Sequence, residues 1–258
     1  MENENSFVEK IREKKQSKTK SVLLLSGIFV FLILLSWLAS AWYARQAIKT
    51  ITISGNTVLT AGEINSIIDE KIMNIPNKGI KLNEIKNKLV ANEYVADAYV
   101  WFNSRGVLGI EIQERVPVGI VVKSDGTLAF VDQTGAIFQY RLYKEYTDLP
   151  IISNVYNRIN QVNNVHLAGA LDIVTVLQSS FSKLDNIVSE VRFNTVTNSY
   201  ELYLTEANIK VDFGKAENIA KKLEKIYAFW KGKILLVQNK NQFRNIDVKW
   251  DNIVIVKK

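Results

Sequence analysis

The sequence predicts an α+β protein. It reads as one N-terminal transmembrane helix, a small β-α-α-β-β module, and a larger, mostly antiparallel β domain with helices on one side. Three observations carry this. Residues 21–44 contain no charged side chain and are almost wholly apolar. Period-two and 3.6-residue patterns then follow in the order strand, helix, helix, strand, strand. From Pro117 onward, short alternating runs dominate, punctuated by glycine turns and interrupted by two amphipathic stretches.

As a helix, residues 21–44 reach roughly 35 Å, enough to cross a ~30 Å hydrocarbon layer. Lys10, Arg12, Lys14, Lys15, Lys18 and Lys20 precede them, and between residues 10 and 20 Glu13 is the only acid. Basic flanks stay preferentially on the cytoplasmic side, so residues 1–20 are expected inside as a short tail and the remainder outside. Ala39-Ser40-Ala41 resembles a small-residue cleavage site. A signal core, however, runs about 7–15 residues, and this one is longer. Trp37, Trp42 and Tyr43 also cluster where an interfacial aromatic belt would lie. An uncut anchor is the expectation.

Residues 45–116 form the first module. Ile51 and Ile53 alternate with Thr50 and Thr52 in a short strand ended by Gly55-Asn56. Thr60-Ala61-Gly62-Glu63 is a capping-box pattern, and the helix it opens places Ile64, Ile67, Ile68 and Ile72 on one face. A second helix over 81–91 repeats that spacing with Leu82, Ile85 and Leu89. Strands then follow at 96–102 and, after Ser104-Arg105-Gly106, at 108–112. Two helices can cover one face of such a three-stranded sheet.

Residues 117–258 form the second. Strands are expected at 118–123, 127–131 and 136–142, with Gly126 and Gly135 supplying positive φ at the turns between them. Leu149-Pro150 reads as the start of a loop. A helix near 167–181 presents Leu167, Ala170, Leu171, Val174, Leu177 and Phe181 to a core. Strands return at 187–193, 200–204 and 209–213. An amphipathic helix over 215–230 stacks Ile219, Ala220, Leu223, Ile226, Tyr227 and Trp230, with Lys215, Lys221, Lys222 and Lys225 on its other face. Strands at 246–250 and 253–256 complete the pattern.

Chemistry is scarce. The 258 residues include no cysteine and one histidine, which argues against disulfides, thiol chemistry and a His- or Cys-based metal site. His166 alone reads as an ordinary structural imidazole. Asp132-Gln133-Thr134-Gly135 begins like the phosphorylated-aspartate motif of cation pumps, but Gln133 stands where that motif needs Lys, so a β-turn is expected. Phe213-Gly214-Lys215 lacks the flanking residues of a phosphate loop. Glu111 and Glu114 fall on opposite faces of a strand and cannot share acid–base work. Net charge is +7, partly from the tail, and no arginine-rich run interleaves with aromatics. The expectation is no enzyme, no cofactor, no metal, no nucleic-acid partner and no small-molecule substrate.

Surfaces that pair are better supported. The last strand, Ile253, Val254, Ile255 and Val256, is apolar on both faces and is followed by Lys257-Lys258, a device that guards exposed strand edges. Such an edge can accept a partner strand, with Trp250 as an anchor.

Five stretches in order resemble the FtsQ/DivIB family of bacterial cell-division proteins. They are Ile51-Thr52-Ile53-Ser54-Gly55-Asn56; the run Glu111 to Gly119 through Pro117, with Gly119 where Ala is commoner; Val131-Asp132-Gln133-Thr134-Gly135-Ala136-Ile137-Phe138; Leu149-Pro150; and Ile246-Asp247-Val248-Lys249-Trp250, with Lys for the usual Arg and Trp where Tyr is frequent. The resemblance implies a POTRA module beside the membrane, then an FtsQ-type β domain. Gly55, Asn56, Pro117, Asp132 and Gly135 would be its structural motif residues. It implies a single-pass protein of the bacterial cytoplasmic membrane, enriched at the septum. The role it implies is an essential, non-enzymatic scaffold linking early and late division proteins and helping control septal peptidoglycan synthesis. The partners would be coiled-coil membrane proteins like FtsB/DivIC and FtsL, held through Trp250, Asp251, Ile253, Val254, Ile255 and Val256. The alternative from another class is a membrane-anchored POTRA protein in protein export or envelope-protein assembly.

Overall fold

The computed structural model describes residues 23–43, 45–68, 72–73, 76, 79–143, 146, 148–157, 159–205, 209–234, 236, 243–250 and 253–257. The basic tail 1–20 and, among the interface candidates, Asp251 lie outside them. The first helix, α1 (Leu23–Tyr43), is long and apolar enough to cross a membrane, and its most apolar 18-residue stretch is not buried in the protein.

By packing, the chain separates into two units. One comprises Met1–Asn56, Thr60–Leu89 and Ala98–Ile112; the other comprises Thr57–Leu59, Val90–Asp97 and Gln113–Lys258. In the first, β1 (Thr50–Ser54), β3 (Val107–Glu114) and β2 (Val95–Phe102) form a sheet in the order β1-β3-β2, with β1 parallel to β3. Its helices are α2 (Ala61–Ile68) and α3 (Leu82–Val90). The capping box is formed in both directions: Thr60 N–H donates to Glu63 Oε2 at 2.9 Å, and Glu63 N–H donates to Thr60 Oγ1 at 3.2 Å. Helical periodicity predicts Ile72 on α2; the described helix runs Ala61–Ile68, and Ile72 itself has 3₁₀ geometry. Gly55 has φ 80°, and a Cβ there would fall 2.1 Å from the Ile112 carbonyl oxygen, so this turn admits only glycine.

The second unit is built on a nine-stranded sheet. Its strands are β4 (Pro117–Val122), β5 (Leu128–Asp132), β6 (Ile137–Gln139), β7 (Ile151–Ser153), β8 (Val188–Asn194), β9 (Ser199–Leu204), β10 (Ile209–Gly214), β11 (Asn245–Asp247) and β12 (Ile255–Lys257), in the order β12-β11-β10-β9-β8-β7-β4-β5-β6. Five junctions are antiparallel and three, β10·β11, β4·β7 and β7·β8, are parallel. Thus the loop expected after Pro150 contains a strand, β7, inserted at the sheet's centre. Three residues are too few to show a period-two pattern, and β7 is defined by its neighbours rather than by itself.

The helices α4 (Asn164–Ser180), α5 (Ser182–Asp185) and α6 (Ile219–Phe229) complete this unit, α6 running on into a π-helical turn, Trp230–Ile234. Asn163 caps α4, its side chain accepting from the N–H groups of Val165 and His166. Leu171, Val174, Leu177, Leu223 and Ile226 join Val191, Leu202, Val211 and Ile246 in one core. The predicted helix over 215–230 begins only at Ile219, because Asn218 is left-handed at φ 52°. Asn154, Asn160 and Asn198 also take positive φ, as asparagine tolerates.

Gly135 turns the chain between β5 and β6 at φ 85°. There Asp132 accepts from Thr134 N–H (2.9 Å), Thr134 Oγ1 (2.6 Å), Ala136 N–H (3.0 Å) and the Arg115 guanidinium (2.8 Å). Burial alone would raise its pKa, but these donors outweigh it and hold the carboxyl below its ordinary value. Glu114 accepts the N–H groups of Val58 and Leu59, each at 2.8 Å, a structural role that leaves no carboxylate pair with Glu111. At Gly119, a Cβ would come within 3.1 Å of Ile152 Cδ1 and 3.3 Å of the Pro150 carbonyl oxygen, so an alanine would require these neighbours to give by a few tenths of an ångström.

Candidate partner-binding edge

β12 is the terminal strand of the nine-stranded sheet. Its outer N–H and C=O groups have no strand partner among the described residues, leaving them available to another chain. Register assigns the faces. Asn245 opposes Lys257, Ile246 opposes Val256, and Asp247 opposes Ile255. Ile246 is wholly buried in the core, so Val256 shares the helix-side face and Ile255 the opposite one. Val254 packs partly against the core, whereas Ile253 and Ile255 are 60% and 44% exposed. Trp250 is 58% exposed. The apolar run therefore divides its work: two valines turn inward, and two isoleucines and a tryptophan remain bare.

The segment carrying Trp250 is tied down from α6. Lys225 Nζ donates to the Val248 carbonyl at 3.2 Å and also to the Trp250 carbonyl. On the next turn back, Lys222 is buried, donates to the Lys215 carbonyl at 2.8 Å and sits 5.0 Å over the Phe213 ring. The lysine-rich side of this helix is in part a set of clamps. The targets of Lys225 lie 23 and 25 residues away in the chain, beyond the reach of any local pattern, whereas Lys222 reaches the carbonyl of a residue 7 positions back. Lys249 lays its stem over Gly214, where a Cβ would fall 2.7 Å from Lys249 Cγ, and pairs with Asp247 at 3.2 Å.

Away from the helices, Glu201, Asp212 and Asp247 line up on β9, β10 and β11 and end at Ile255 on β12. Like charges in register repel, and cations offset them. Lys210 Nζ lies 3.2 Å from Glu201 and 3.0 Å from Asp212, and Asn245 donates to Asp212 at 2.8 Å. Burial would raise the pKa of both Glu201 and Asp212. The bonds from Asn194, Lys210 and Tyr203 hold Glu201 low, and those from Asn245 and Lys210 hold Asp212 low. Among the described residues, the three carboxylates of this face are paired internally. What the edge offers a partner is backbone and apolar surface.

His166 stacks on Phe193 with ring centroids 3.6 Å apart, burial lowers its pKa, and its carbonyl accepts the Tyr200 hydroxyl at 3.0 Å. Burial and then the nearby Asp172 push the Tyr200 hydroxyl up to about 12.

The family described as POTRA domain, FtsQ-type, matches residues 46–115, and the family described as FtsQ/DivIB, C-terminal related, matches residues 116–256. The chain is also similar to cell division protein DivIB of Clostridium tetani (strain Massachusetts / E88). The two are 23% identical over 181 residues, which cover 69% of this chain and 68% of that protein.

Proposed function

The chain belongs to the FtsQ/DivIB family of cell-division proteins, and on that premise we propose that it is a non-enzymatic scaffold of the division machinery. In this reading α1 spans the cytoplasmic membrane once, with residues 1–20 inside and the two modules, 45–116 and 117–258, outside. The protein links early to late division proteins and helps control septal peptidoglycan synthesis. It does so by holding coiled-coil partners of the FtsB/DivIC and FtsL type at the β12 edge. Trp250, Ile253 and Ile255 supply side-chain contacts, Val254 and Val256 brace the strand from beneath, and Asp251 completes the segment.

The observation that carries this reading is the position of β12 at an open sheet end with bare isoleucines beside it. Ile255→Glu places a carboxylate on that surface. The change is harmless in water but costs several kcal/mol, on the order of 10²-fold in affinity, if a partner buries it unpaired. The fluorescently tagged protein is expected at mid-cell, and Ile255→Glu is expected to lose the FtsB-like partner in pull-downs while retaining its thermal unfolding temperature. Uniform membrane distribution in dividing cells refutes the role. Undiminished pull-down by folded Ile255→Glu refutes the site.

A further inference from the structure

The outer end of α1 meets the turn between β2 and β3. Tyr43 Oη donates to the Phe102 carbonyl at 3.3 Å, and the two rings lie 6.4 Å apart. Gly106, at φ 81°, receives the chain on its way into β1. Its carbonyl accepts from Lys49 N–H at 2.7 Å and Thr50 N–H at 3.3 Å, and a Cβ there would lie 2.6 Å from the Ala47 carbonyl oxygen. Residues 44–49 can span at most ~20 Å. A helix that ends at the lipid–water boundary therefore carries the 103–106 turn to that boundary with it.

That turn is basic. Arg45, Lys49 and Arg105 are exposed, and none forms an ion pair among the described residues. Neither 37–50 nor 98–110 contains an acid. Trp101, 36% exposed, covers Gly109, where a Cβ would fall 2.0 Å from the indole. An indole held on the same unit as these unpaired cations matches an interface of hydrocarbon and phosphate, where aromatic rings and basic side chains are both favoured.

We propose that this end of the first unit docks on anionic phospholipid headgroups. Arg45, Lys49 and Arg105 meet the phosphates, and Trp101 enters the interfacial layer. The inference rests on reading α1 as a membrane span. Each cation contributes roughly fivefold to docking on an anionic surface, so the three together give on the order of 10²-fold.

The chain has no native cysteine, so Ser104→Cys in the full-length protein gives a single site for an environment-sensitive dye. The labelled protein is placed in nanodiscs of phosphatidylcholine alone or with phosphatidylglycerol. With phosphatidylglycerol, the dye is expected to shift to the blue and be quenched by headgroup-labelled lipid. The triple change Arg45→Gln, Lys49→Gln, Arg105→Gln is expected to abolish both effects, as is 1 M salt, where screening extends only ~3 Å. Equal emission in the two discs, or indifference to the triple change, overturns the proposal. Dye on Leu32→Cys tests the span separately. If it reports water in both discs the span itself has failed; if it reports lipid while Ser104→Cys stays in water, docking alone has failed.

Discussion

Replacing Lys225 by methionine keeps the stem of the side chain and removes the ammonium that holds residues 248–250. Two carbonyls, those of Val248 and Trp250, lose their charged donor. A hydrogen bond to a charged group contributes about 1.5–3 kcal/mol net. Water can take the vacated position at the exposed Trp250 carbonyl, but Val248 is wholly buried and its carbonyl is left without a donor, so the loss is put at about 1–2 kcal/mol. That loss falls on residues 248–250, which run from Val248 in the core out to Trp250. If the partner needs the indole held in place, binding weakens about five- to thirtyfold. The assay is a binding isotherm of full-length protein in nanodiscs against the FtsB/DivIC-like partner, alongside amide exchange over 248–250. Lys231→Met, an exposed lysine of the π-helical turn, serves as the control. Faster exchange with wild-type affinity would remove Trp250's segment from the interface. Unchanged exchange and affinity would refute the positioning argument itself.

Gly55→Ala drives a Cβ to 2.1 Å from the Ile112 carbonyl at φ 80°; about 3–4 kcal/mol of destabilisation is expected in chemical denaturation. Gly169→Ala meets Tyr200 Oη at 2.2 Å, and a loss of about 1–3 kcal/mol is expected, smaller in a Tyr200→Phe background. Asp132, Glu201 and Asp212 all have folded pKa values below their ordinary ones. Their contribution is therefore complete above the unfolded carboxylate range and is lost as pH falls through the folded values. Removing the cation shared by Glu201 and Asp212, in Lys210→Met, is expected to move the acid-unfolding midpoint to higher pH, followed by circular dichroism.

Local signals carried much of this fold. The apolar run, the Thr60–Glu63 capping box, the helical spacing of Ile85 and Leu89, and the turn glycines at 55, 126 and 135 each act within a few residues, and each is found as a local structure. What stayed hidden depends on distant partners. β7 exists because β4 and β8 flank it. Lys222 and Lys225 look like solvated lysines until Phe213, Val248 and Trp250 are brought beneath them. The helix boundary at Asn218 turns on a single left-handed residue. For the candidate site, composition singled out the closing strand as apolar on both faces. Only the pairing of β12 with β11 separates the outward isoleucines from the inward valines.

The shortness of β12 bears on how such an edge could hold a partner. A strand of three residues presents only a few free backbone groups, and each hydrogen bond made there is worth about 1 kcal/mol net. Those few kcal/mol do not offset the 4–15 kcal/mol that association in solution costs. Burial of Trp250, Ile253 and Ile255 adds at most about 1.5–3 kcal/mol each. The sum describes a contact that is weak between free molecules. It becomes sufficient when both chains are confined to one membrane, because tethering raises the effective concentration into the millimolar range without any new contact. On the proposed reading, then, α1 is part of the binding mechanism as well as an anchor: the edge supplies selectivity, and the bilayer supplies the concentration at which that selectivity acts.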